Sequence, residues 1–158
     1  MRLEIDGRYS NIKFSACHFI AGHARCGKLH GHVYVIQVIL YGEKNESGMI
    51  MDFIELKRTL RKIAEEFDHR VLLPGRSSRV KLEHSENEVE ARIDGKRYIF
   101  PLEDVLILDI AESSAEEIAE EMLDRIVNEL DITPNIHGIE VGVDEERGQS
   151  AWVSRDLR

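Results

Sequence analysis

Apolar residues fall at every second position over two early stretches. From Arg8 to Ile20, Ile12, Phe14, Ala16 and His18 share one parity, and Lys13, Ser15, Cys17 and Phe19 share the other. That alternation predicts a strand with two different faces. The run Val33-Tyr34-Val35-Ile36-Gln37-Val38-Ile39-Leu40-Tyr41 is rich in β-branched and aromatic residues and predicts a second strand over His30–Tyr41. Between them, Ala21–Leu29 carries Gly22, His23, Arg25 and Gly27 and reads as a loop, and Gly42–Gly48 reads as a polar turn. The period then becomes helical. Asp52 opens a helix with Glu55 as its capping-box partner, and Phe53, Leu56, Leu60, Ile63, Ala64 and Phe67 form one buried stripe. The helix stops near Phe67, just before Asp68-His69, and Pro74-Gly75 is a firm break.

Alternation returns from Arg79 to Phe100, where Asp94-Gly95 signals a hairpin, and predicts two or three short strands set apart from the main sheet. The apolar run Val105–Ile110 leads to a second helix. Ser113 and Glu116 are its expected capping box, its apolar face is Ala115, Ile118, Ala119, Met122, Ile126, Val127 and Leu130, and Pro134 stops it. Ile136–Asp144 and Ser150–Val153, joined by a turn at Arg147-Gly148, complete the pattern. The order of strand, strand, helix, insert, helix, strand, strand predicts an α+β fold: an antiparallel four-stranded sheet with two helices on one face, plus a small β insertion over about 77–104. At 158 residues the simplest organisation is one domain, 1–158.

Charge narrows the function. With 21 basic residues against 30 acidic ones the net charge is −9, which argues against general affinity for nucleic acid or anionic membranes. No apolar run approaches the ~20 residues of a membrane span, and the start Met1-Arg2-Leu3-Glu4-Ile5-Asp6 has no apolar signal core. A cytoplasmic location is therefore expected. In a reducing compartment Cys17 and Cys26 are thiols rather than a bridge.

The chemistry concentrates in Cys26-Gly27-Lys28-Leu29-His30-Gly31-His32. In an extended chain His30 and His32 point to one face, with a glycine between them that lets another backbone or a ligand come close. His18 can meet them from the adjacent strand. Three imidazoles with an open fourth position form the pattern of a catalytic zinc site, although His-x-His alone equally describes two ordinary rim residues. Cys26, four residues before His30, is either a thiolate activated by a nearby cation or a buried inert thiol; for Cys17 the inert reading is preferred. Asp68-His69 reads as an oriented proton carrier or as a histidine at a helix C-terminus. Glu116 has a capping role available. Glu145 reads as a solvated acid or, if carried into a pocket, as an acceptor for an N–C–N edge. Arg25 and Lys28 flank Cys26 as candidates for holding an anionic tail.

Six segments, in order along nearly the whole chain, carry a resemblance: Phe14-Ser15-Ala16-Cys17-His18, Cys26 through His32, Gly48-Met49-Ile50-Met51-Asp52-Phe53, Phe67-Asp68-His69-Arg70, Ser113-Ser114-Ala115-Glu116 and Val143-Asp144-Glu145. Together they resemble the 6-pyruvoyltetrahydropterin and 6-carboxytetrahydropterin synthase family. The resemblance implies a tunnelling fold in homo-oligomers, trimers or stacked hexamers, with active sites between subunits. It implies Zn2+ on His18, His30 and His32, catalytic Cys26, Asp68 and His69, and a pterin pocket built with Ser114, Glu116 and Glu145. The four-residue gap from Cys26 to His30 is similar to that of the bacterial and archaeal carboxy enzymes. It implies a lyase that converts 7,8-dihydroneopterin triphosphate to 6-carboxytetrahydropterin, triphosphate and acetaldehyde on the way to queuosine or archaeosine. The alternatives are a pyruvoyl synthase or aldolase-like side-chain lyase, and a non-catalytic pterin- or purine-binding protein. Ser114, Glu117, Leu72-Leu73 and the Glu145-Glu146-Arg147 context depart from the family pattern.

Overall fold

A computed structural model describes residues 1–158. In chain order the elements are β1 (Arg2–Asp6), a single helical turn α1 (Gly7–Ser10), β2 (Lys13–His18), β3 (His30–Gly42), α2 (Phe53–Phe67), β4 (Arg70–Pro74), β5 (Lys81–His84), β6 (Glu88–Ile93), β7 (Lys96–Pro101), β8 (Val105–Leu108), α3 (Ala115–Glu129), β9 (Ile136–Glu146) and β10 (Gln149–Asp156). The main sheet runs β10-β9-β3-β2-β4-β8, with β1 also on β3. The expected α+β class and the four antiparallel strands β10, β9, β3 and β2 are present. The sheet is larger than expected, with seven strands, and mixed, because β4 and β8 add parallel pairs at the β2 edge.

Each difference has a local cause. The strand expected over Arg8–Ile20 begins only at Lys13. Asp6 accepts from the Arg8 N–H and caps the turn Gly7–Ser10, and Asn11 is left-handed at φ 53, so the chain cannot pair through this stretch. β1 and β2 therefore follow one another along the same side of β3. β4 and β8 escape an alternation test because both of their faces are covered: Leu72 and Leu108 enter the main core, while Leu73 and Val105 enter a second cluster. Phe53, placed in the α2 stripe by its spacing, is half exposed. α3 ends at Glu129, ahead of the expected stop at Pro134.

The main core lies between the helices and one sheet face. Leu56, Leu60, Ile63 and Phe67 of α2 and Ile118, Met122 and Ile126 of α3 meet Phe14, Tyr34, Ile36, Val141 and Val143. Phe14 stacks on Tyr34 at 5.0 Å and meets Phe67 at 5.1 Å between ring centroids. The second cluster joins the three-stranded sheet β5-β6-β7 to the other face, through Val80, Val89, Ala91 and Ile93 against Phe19, Ala21, Leu73 and Val105. This explains why Phe19 is buried on the parity opposite to His18. No helix is long and apolar enough to cross a membrane.

Two substitutions rank these contributions. Phe67→Ala is expected to lower stability by about 3–5 kcal/mol, since it empties a fully buried aromatic site. Asp52→Ala removes only the acceptor for the Ile54 N–H at the start of α2 and should cost about 1 kcal/mol. Urea midpoints read both.

Candidate functional site

The face of the sheet that buries Phe14 and Tyr34 ends in three imidazoles. The register of β2 on β3 pairs Ala16 with His32 and His18 with His30, so the rings of His18, His30 and His32 share one face at adjacent positions. Ring centroids are 4.6 Å apart for His18–His30, 5.0 Å for His30–His32 and 5.3 Å for His18–His32. Gly31 allows this closeness, because a Cβ there would meet Ala16 O at 3.0 Å and Cys17 Sγ at 3.2 Å.

The surroundings set the tautomers. His18 Nδ1–H donates to Ser113 O at 2.6 Å, and His30 Nδ1–H donates to Lys28 O at 2.7 Å. A carbonyl can only accept, so Nε2 of each ring carries a free lone pair. Burial pushes the His18 pKa down to about 4, which keeps this ring neutral at pH 7. Nε2 of His18 and of His32 are both buried without a hydrogen-bond partner. Orphaned buried nitrogens are costly unless something binds them. One ligand atom from each of the three rings lies within 4.8 Å of the others, so the set fits a metal ion. Glu145 Oε1 lies 3.4 Å from His18 Nε2 and 3.7 Å from His32 Nε2, and Glu146 Oε1 lies 3.5 Å from His32 Nδ1.

Beside the imidazoles is a cavity of about 240 Å³ lined by His18, Cys26, His30, Ser114, Glu116 and Glu145, among others. The 19–29 loop supplies Cys26, the N-cap and first turn of α3 supply Ser114 and Glu116, and the end of β9 supplies Glu145. The capping assignment shifts by one residue from the expected Ser113–Glu116 pair. Ser114 is the N-cap and accepts from the Glu117 N–H, while Glu117 Oε2 accepts from the Ala111 N–H at 2.9 Å. Ser113 is fully buried and donates to Phe19 O at 2.8 Å, tying the start of α3 to the end of β2. This frees Glu116 to line the cavity.

Not every candidate converges here. Asp68 and His69 do not line this cavity. His69, left-handed at φ 58, lines a separate groove with Ser15, Cys17 and Val33, which also reaches His32. The pair is nonetheless organised. Asp68 Oδ1 accepts from the Ser15 N–H at 2.7 Å and Oδ2 accepts from His69 Nδ1–H at 2.8 Å. The Ser15 N–H, with His69 adding to it, holds the Asp68 carboxyl below its ordinary range. Arg25 and Lys28 are exposed, and their side chains do not line the cavity. The residues missed by sequence reasoning are Gln149, Ser150 and Ala151 of β10, and Tyr34. Tyr34 continues the His30–His32 parity, which is the signal that could have found it. Its buried hydroxyl has no partner, and burial, then the charge of Glu145, raises its pKa.

Metal-stripped protein is expected to bind one divalent ion per chain by calorimetry. His18→Ala should abolish this at micromolar protein, and His84→Ala, on exposed β5, should not. Because its folded pKa is lowered, Asp68 contributes stability in full above about pH 4 and loses it as pH falls through the folded value. Asp68→Asn should therefore flatten the acid limb of the stability–pH curve, followed by urea midpoints.

The profile of the family described as 6-pyruvoyl tetrahydropterin synthase matches residues 9–156. A Methanocaldococcus jannaschii relative, whose name of 6-carboxy-5,6,7,8-tetrahydropterin synthase is provisional, is 36% identical over 162 residues, covering 99% of this chain and 98% of that one. A Pyrococcus abyssi relative with the same provisional name is 30% identical over 152 residues, covering 95% of this chain and 90% of its own length. The solved 6-pyruvoyl tetrahydropterin synthase of Plasmodium falciparum superposes with a TM-score of 0.92 at 30% identity, covering 99% of this chain and 98% of that one. Matched by a profile across nearly its whole length, by full-length relatives and by a solved structure with the same arrangement of strands and helices, the chain belongs to the 6-pyruvoyl tetrahydropterin synthase family of lyases.

Proposed function

We propose that the chain is a zinc-dependent 6-carboxy-5,6,7,8-tetrahydropterin synthase. It would convert 7,8-dihydroneopterin triphosphate to 6-carboxytetrahydropterin, triphosphate and acetaldehyde, in the route to queuosine or archaeosine. The observation that carries this reading is the cavity in which Cys26, Glu116 and Glu145 converge beside His18 and His30. Three clustered imidazoles, two of them on the cavity wall, favour zinc with an open coordination position. The carboxy product is favoured by the names of the Methanocaldococcus and Pyrococcus relatives and by the short gap from Cys26 to His30. The second reading, release of 6-pyruvoyltetrahydropterin, is favoured by the names of the Plasmodium structures.

In this reading His18, His30 and His32 would hold zinc, which would supply a Lewis acid for the substrate's side-chain hydroxyls. Cys26, on the cavity wall, exchanges a proton with the side chain. Glu145 accepts from the N–C–N edge of the pterin, and Ser114 and Glu116 shape the ring pocket. His69, oriented by Asp68 at 2.8 Å, is the second proton carrier. Within one chain it does not line the Cys26 cavity, and in this reading it acts on the site of a neighbouring subunit in a trimer or hexamer. Arg25 and Lys28 remain candidates for the triphosphate tail. The substrate is small, with no nucleic acid or membrane partner, and the enzyme works in the cytoplasm.

Zinc-loaded protein incubated with 7,8-dihydroneopterin triphosphate should give 6-carboxytetrahydropterin by mass spectrometry; the pyruvoyl product would instead select the second reading. Cys26→Ala should lower kcat by about 10²–10⁴-fold, and unchanged turnover would sink the role of the thiol. Co-refolding Cys26→Ala with His69→Ala should recover about a quarter of wild-type activity, the fraction of shared sites that keep both groups on random mixing. No recovery would confine the site to one chain.

A further inference from the structure

We infer that the β6–β7 hairpin is a clamp that positions the Cys26 loop. The loop between β2 and β3 has three short hydrogen bonds of its own, beside longer ones of 3.3 Å from the His23 N–H to Ile20 O and from the Lys28 N–H to Arg25 O. Ile20 N–H donates to Cys26 O at 2.8 Å, Gly27 N–H to His23 O at 2.8 Å, and Cys26 N–H to His23 Nδ1 at 2.9 Å. It is held from outside at both of its ends. Asp94 Oδ2 accepts from the Gly22 N–H at 2.8 Å, and Lys96 Nζ donates to Gly27 O at 2.8 Å. Gly27 follows Cys26 directly, so Lys96 pins the carbonyl next to the thiol. Arg79, ahead of β5, adds a bond from its guanidinium to Ala21 O.

The clamp is rigid for identifiable reasons. Asp94 and Gly95 are left-handed at φ 49 and 76, between Ile93, the last residue of β6, and Lys96, the first of β7, which pair with each other. This is the two-residue turn whose twist matches paired strands. Behind it, Ala91 and Ile93 are buried with Phe19 and Ala21, the residues leading into the loop. Arg92 and Arg97 are taken up by Glu90, at 2.5 and 2.6 Å, whereas Lys96 reaches out to the loop. Hydrogen bonds from a packed sheet fix a reacting group better than contacts within a loop do. Asp94 and Lys96 touch no reacting atom; they are positioning residues. The kinetic part of this assignment rests on the proposed role of Cys26, and the geometric part does not.

The test uses full-length zinc-loaded protein. Asp94→Gly keeps a residue that accepts the left-handed turn but deletes the carboxylate, and Lys96→Met keeps the apolar stem but deletes the ammonium. In the double variant D94G/K96M, iodoacetamide should modify Cys26 about fivefold faster, scored on its own peptide to separate it from Cys17. In the same variant kcat should fall about tenfold, with KM within about twofold. D94N/K96R, which keeps an acceptor and a cation, should restore both, a rescue that loss of general stability would not show. Lys96→Met alone serves if the double variant does not fold. An unchanged modification rate overturns the clamp, whatever the turnover. If Cys26→Ala turns over like wild type, the proposed reaction fails, and the modification rate still decides the clamp.

Discussion

The pairing of β2 with β3 is the constraint on which the rest depends. Opposed residues in this ladder are Ala16 with His32 and His18 with His30. A slip of one residue would turn Phe14, Ala16 and His18 to the other face together, because side chains alternate strictly along a strand. The core favours this register: Phe14 packs between Tyr34 and Phe67 on the helix-covered side, and a one-residue slip would remove it from both. Hydrophobic burial thus does the alignment, and the three imidazoles are placed as a by-product at the end of the same row. The glycine between His30 and His32 then lets β2 come close enough for the rings to converge.

A second layer of interactions prepares the rings rather than placing them. Ser113 and Lys28 supply carbonyls that orient two of the rings and leave Nε2 free. Ser113 has two tasks, since its hydroxyl also holds Phe19 O where β2 ends. The start of α3 and the end of β2 are therefore one unit, and Ser114 and Glu116 arrive at the cavity wall because Ser113 is buried beneath them. Electrostatically the cavity joins imidazoles to the carboxylates Glu145 and Glu116 in a protein of net charge −9. Without a cation these acids and lone pairs have little to balance them.

Alternation and helical spacing were enough to read α2, α3, β3, the β5–β7 excursion and the convergence of His18, His30 and His32, because each is a local pattern with one buried face. Asp94-Gly95 marked its turn for the same reason. What was not legible depends on coverage from far away. β4 and β8 are apolar on both faces, so they carry no period. Phe53 has helical spacing but lies at the open end of α2. The capping residue of α3 slid from Ser113 to Ser114 because the hydroxyl of Ser113 has a better partner 94 residues back in the chain. Asp68-His69 was legible as an oriented pair, but not its separation from the Cys26 cavity. That depends on which side of β2 the chain takes as it leaves α2, and His69 settles it with an unusual backbone conformation.

The 19–29 loop leaves one histidine strand and rejoins the other. The three imidazoles come from strands and the thiol comes from the bridge between them, so the two sets of residues can vary separately. A lineage could lengthen, shorten or reload that bridge, exchanging one acid–base group for another, without disturbing the ladder that assembles the rings. Diversification of the loop beside an unchanged trio of imidazoles is the evolutionary freedom this layout provides.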